Sequence, residues 1–123
     1  MTAILALDIG KRRSGVAIYD EAVGMPFPLD TIAHRSTKEL VTKVAELCSE
    51  RSVVHIVVGL PLLLSGEEGE QAAFVRSVSQ ALEALAPISF LDERYSTPAI
   101  RESDPDAAAA CSILTTYLDR QKR

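Results

Sequence analysis

Apolar and polar positions along the chain follow two periods, and these divide it into strands and helices. Residues 3–8, AILALD, form a short apolar run closed by an acid, as in a buried strand. Ile9 to Gly15 read as a turn with a basic centre, and Val16 to Tyr19 resume as a strand, giving a hairpin. Residues 22–33 carry Gly24, Pro26 and Pro28, so a third strand there should be irregular or at an edge. Ser36 with Glu39 makes a capping box, and Leu40, Val41, Val44, Leu47 and Cys48 recur at helical spacing to about Arg51. VVHIVV, residues 53–58, is a β-branched run suited to a strand covered on both faces. Ser65 with Glu68 reads as a second capping box, opening a long helix stopped by Pro87. Ile88 to Leu91 form a short strand, Thr97 to Ser103 a brief connection, and Asp104-Pro105 opens a last helix with an apolar inner stripe.

The order β-β-β-α-β-α-β-α places three antiparallel strands first and then alternates strands with helices. Alternation implies parallel strands joined by right-handed crossovers, with helices on the sheet faces. The first, fourth and fifth strands are expected as parallel neighbours in the middle of the sheet. Ligands of such sheets gather beyond the carboxyl ends of the strands.

The 123 residues suit one domain, 1–123, and their 47% apolar content supplies a core of Leu, Ile, Val and Ala. No apolar run approaches the roughly 20 residues of a membrane span, and MTAILALDIG does not read as a signal peptide, so a cytoplasmic location is the expectation. Cys48 and Cys111 fall inside helical patterns and read as buried thiols; zinc-site spacing is missing. The formal net charge of −4 argues against indiscriminate binding to phosphate backbones. Positive charge is concentrated in Lys11-Arg12-Arg13 and near the C-terminus.

The candidate chemistry lies in carboxylates. Asp8 ends the first strand and Glu93 follows the fifth, so parallel strands bring both to one edge, with Gly59 keeping the space between them open. Asp106, in the first turn of the last helix, falls on its inward stripe, although the helix dipole alone also favours an acid there. Three converging acids repel, and a divalent cation with oxygen ligands relieves that repulsion. Two such ions can activate water and stabilise a leaving phosphodiester oxygen. His34 and His55 read as core or surface residues, and nothing resembles a Ser-His-Asp or Cys-His arrangement.

Four segments in order, LALDIGKRRSGVAI, IVVGLPLLLSGEEGEQA, FLDERYST and DPDAAAACSILTTYLD, resemble the YqgF family, also called RuvX or pre-16S rRNA nuclease and related to RuvC-type Holliday junction resolvases. The resemblance implies an RNase H-like α/β fold: a five-stranded mixed sheet with helices on both faces. It implies metal-dependent phosphodiester hydrolysis with Mg²⁺ or Mn²⁺, the expected task being processing of the 5′ end of pre-16S rRNA in ribosome biogenesis. The family's acids fall on Asp8, Glu93 and Asp106, as catalytic residues and metal ligands. Arg94 would orient Glu93 or touch a phosphate, or form a structural ion pair; Lys11, Arg12 and Arg13 would meet substrate backbone, or form a solvated hairpin tip.

Two departures from the family pattern stand out. Thr97 to Asp104 replaces a longer segment with a helix and a basic stretch, and the loop after Gly59-Leu60-Pro61 carries Leu63 or Leu64 and Ser65 in place of Asn and Asp. Leu62 to Leu64 would then be an exposed apolar run able to meet a partner. The expected partners are structured RNA, ribosomal precursor particles or DNA junctions, with the chain a monomer or homodimer. The competing readings are a junction resolvase and a non-catalytic RNA or ribosome assembly factor.

Overall fold

The computed structural model describes residues 2–93 and 104–122. The elements come in the expected order: β1 (Ala3–Ile9), β2 (Arg13–Asp20), β3 (Pro26–Ala33), α1 (Thr37–Arg51), β4 (Val53–Leu60), α2 (Glu70–Leu82), β5 (Ile88–Asp92) and α3 (Pro105–Gln121). They build one five-stranded sheet in the order β3-β2-β1-β4-β5. The β1–β2 and β2–β3 pairs are antiparallel; β1–β4 and β4–β5 are parallel. β5 therefore lies at an edge, where the middle of the sheet was expected. β1 is the central strand, and β4 takes the inner position beside it, where its continuous β-branched run is covered on both faces; β5 is shorter and leaves Phe90 partly exposed.

Side-chain alternation sorts the core into two layers. Leu5, Leu7, Val16, Ile18, Ile56 and Val58 face α1 and α2. Ala6, Ala17, Val57 and Leu91 face α3, which contributes Ala110, Cys111, Ile113 and Leu114. Small alanines on this second face let α3 sit close to the sheet. All three helices begin at the end where β1, β4 and β5 finish, so this rim collects three helix N-termini and the carboxyl ends of three parallel strands.

Two sequence expectations are corrected locally. The hairpin turn is tighter than expected: β2 already starts at Arg13, and Gly15 pairs with Asp8 inside the ladder. Its lack of a side chain serves packing, because a Cβ at Gly15 would collide with the Asp106 carbonyl at the start of α3. α2 opens at Gly69, without a side-chain cap, and not at Ser65. The preceding chain turns back on itself through a Leu62–Glu68 bridge and a Leu63 N–H to Glu67 carbonyl bond, and Glu68 instead pairs with Arg76 at 2.5 Å. The third strand is an edge strand with a register shift opposite Ser14 to Val16, as its prolines suggested. The segment Thr97 to Ser103 lies outside the described residues.

Candidate active site

Asp8 is the penultimate residue of β1 and Glu93 follows β5 directly. Register explains why they meet. Leu7 pairs with Val58, and Gly59 pairs with Leu91, so Gly59 lies in the strand between the two acids. A Cβ at Gly59 would overlap Glu93 Oε1 and Ile113 Cδ1. The glycine thus leaves the slot in which the Glu93 carboxylate rests, under the flank of α3.

The two acids share a hydrogen bond, and Glu93 is pushed up to about 8 by burial, by that bond to Asp8, and by the charges of Asp8 and Asp92. The bond raises Glu93 because the protonated form is the donor. At neutral pH Glu93 thus keeps its proton, as a carboxyl crowded by other acids does when nothing positive separates them. Its oxygen donors suit a hard divalent cation that keeps several waters.

Asp106 is placed differently. It lies at the same rim, but its carboxylate makes an ion pair with Arg13 at 2.9 Å. Arg13 also approaches Asp104 at 3.7 Å. Asp104 caps α3 by accepting the Asp106 N–H at 3.0 Å, and Thr31 of β3 donates to its other oxygen at 2.5 Å. These contacts with Arg13 and Thr31 hold Asp104 below the usual carboxylate range, the Thr31 bond being the larger cause. Among the described residues, no three of His, Cys, Asp and Glu are grouped so as to hold a metal ion. The structure thus brings Asp8 and Glu93 together and hands Asp106 to Arg13.

The basic candidates divide in the same way. Lys11 and Arg12 are exposed at the hairpin tip, whereas Arg13 fastens the start of α3 to β2. Arg94 lies outside the described residues. Cys48 is half-buried and Cys111 buried, and neither is in a disulfide. His55 bonds Ser89 Oγ at 2.8 Å and stacks on Tyr117. His34 is not a surface residue: it is buried, bonded to Ser14 Oγ at 2.8 Å. Its placement had a signal in the alternation of β3, because His34 continues the inward parity of Ile32. Among the described residues, no helix is long and apolar enough to cross a membrane.

Comparison with known proteins agrees with this architecture. Thermus thermophilus RuvC, solved with a Holliday junction substrate, superposes with a TM-score of 0.72 at 12% identity, covering 99% of this chain and 96% of that one. At that identity the likeness establishes the RNase H-like fold. A relative from Chloroflexus aggregans, named "Putative pre-16S rRNA nuclease", is 37% identical over 134 residues, covering 97% of this chain and 94% of its own. A second of the same name, from Sulfurihydrogenibium, is 35% identical over 135 residues, covering 98% and 92%. The family model described as RuvX, Holliday junction resolvase, matches residues 2–120, and the chain belongs to that family.

Proposed function

We propose that this protein is a nuclease that hydrolyses phosphodiester bonds of nucleic acid in the cytoplasm, with pre-16S rRNA as its substrate. The relatives' name supports the substrate, and the meeting of Asp8 and Glu93 across Gly59 is the observation that carries the chemistry. Two acids held together over a glycine, at the rim where open parallel sheets take ligands, are arranged to receive positive charge. Asp8 and Glu93 are the residues that would hold Mg²⁺ or Mn²⁺. A divalent cation bound there supplies an activated water and charge stabilisation at the leaving oxygen. For Glu93 to ligate, it must first give up its proton. Asp106 would join the site only by leaving Arg13, whose guanidinium then becomes available to a substrate phosphate.

The test is cleavage of a precursor 16S rRNA fragment by wild type and Asp8→Asn, in Mg²⁺ or Mn²⁺. Wild type should cut, and the variant should keep its circular dichroism spectrum but lose cleavage by at least about a hundredfold. Undiminished cleavage by Asp8→Asn would remove the site. The family model's description favours a second reading, resolution of DNA four-way junctions, which would need a symmetric dimer to cut two related strands. Preference for a four-way junction over the RNA, by a dimer, would select it.

A further inference from the structure

The same rim carries a second feature on the opposite face of the sheet from α3. A cavity of about 180 Å³ is lined by Lys11 of the hairpin, by His34, Arg35, Ser36 and Thr37 leading into α1, and by Leu40, Phe74 and Val78 beneath. It is smaller than the roughly 300–1,000 Å³ of ordinary small-molecule sites. Four independent features make it a place for an anion. Lys11 and Arg35 bring two cationic side chains from separate segments. The first turn of α1 points its N–H groups and its positive dipole end here. Ser36 Oγ takes the Glu39 N–H at 3.1 Å, and the Ser36 carbonyl takes that of Leu40, which leaves Thr37 and Lys38 to donate outward.

The fourth feature is His34, 5% exposed. Its Nδ1 is the one buried side-chain nitrogen or oxygen among the described residues that has no hydrogen-bond partner. Ser14 Oγ can pair with Nε2 in either tautomer, and the form that offers a donor to the cavity is the one with hydrogen on Nδ1. Ser14 Oγ accepts the Gly10 N–H at 3.4 Å and lies 2.8 Å from His34 Nε2. When the hydroxyl donates to Nε2, the neutral ring carries its hydrogen on Nδ1. A buried donor of this kind calls for an acceptor. Glu39 is the nearby opposing charge, and its carboxylate is drawn to Lys43 at 3.7 Å.

We infer that this cavity binds one phosphate group of the nucleic-acid strand, at a point set apart from the carboxylate pair, through Lys11, Arg35, the α1 N-terminus and His34 Nδ1. The identity of the strand rests on the nuclease reading; the anion chemistry does not. The contact would let a net-acidic protein fix the register of a strand across the rim with few positive charges.

The test follows the His34 ring nitrogens and the Thr37 and Lys38 amides by NMR in metal-free protein. Inorganic phosphate and a single-stranded RNA are titrated separately into wild type and into Arg35→Gln, an exposed position. Both ligands should shift these nuclei saturably in wild type. Arg35→Gln should weaken both by roughly tenfold or more. It should also lower the salt slope of RNA binding by about 0.7, one phosphate's worth on a single strand. Signals that stay still with both ligands, or equal affinities in the variant, would overturn the inference. A response to inorganic phosphate without a response to RNA would overturn the strand contact, leaving a site for free phosphate. RNA cleavage is scored separately. Failure of wild type to cut nucleic acid in Mn²⁺ sinks the nuclease reading, whereas intact cleavage with silent His34 signals sinks only this site.

Discussion

Glu93 is a half-buried acid held against Asp8, and its behaviour with pH follows from that. An acid raised from 4.5 to about 8 stays protonated in the fold while the unfolded chain ionises. Its stabilising contribution is complete below pH 4.5 and is lost as pH rises through about 8. Glu93→Gln removes this dependence. Chemical denaturation of metal-free protein should show the variant gaining on wild type between pH 5 and 8, by up to a few kcal/mol. A constant difference across that range would mean that Glu93 is not protonated in the fold. Asp8 and Glu93 were legible in the sequence, since each is an acid closing an apolar run and the topology placed both at one edge. The diversion of Asp106 to Arg13 was not legible. The helical stripe gives the direction of a side chain but is silent about a cation, Arg13, arriving from a hairpin distant in sequence. The Ser14 partner of buried His34 was not legible for the same reason, because it comes from another strand.

Between elements, two glycines set how α3 meets the sheet, and they should respond differently to a methyl group. At Gly15 the obstacle is the Asp106 carbonyl, part of the helix backbone, so Gly15→Ala must lift the start of α3. At Gly59 the obstacles are the ends of the Glu93 and Ile113 side chains, which can give way. Thermal unfolding should therefore show a loss of about 1–3 kcal/mol or more for Gly15→Ala and less for Gly59→Ala. Gly59→Ala should cost cleavage out of proportion to stability, because it displaces the Glu93 carboxylate. The reverse ranking in stability would contradict the close approach of α3 to β2. Element order and type were readable from period and caps. Boundaries failed where tertiary contacts overrode local signals. Gly15 looked like a turn residue because its use, a helix backbone lying on it, appears only after folding. Ser65 and Glu68 had capping spacing, but Ser65 Oγ accepts the Glu67 N–H at 3.3 Å, and Glu68 goes to the Leu62 bridge and to Arg76.

At the scale of the whole molecule, one sheet separates two tasks at a common rim. Its α3 face holds the paired acids, and its α1–α2 face holds a cationic cavity; the strand order β3-β2-β1-β4-β5 aligns both with the ends of the parallel strands. That order also accounts for a nucleic-acid enzyme with a net charge of −4: the charge that matters is local, and part of the negative total belongs to residues that would hold cations. The sequence made the mixed sheet predictable, but the edge position of β5 depended on which strand has two coverable faces. The account stands or falls on whether the oxygens of positions 8 and 93 share a cation. A crystal soaked in Mn²⁺ and measured at an anomalous wavelength should show a peak between the two carboxylates, with Glu93 deprotonated and the peak missing in Asp8→Asn. A soak at a concentration that supports cleavage, with no peak between them, would contradict it.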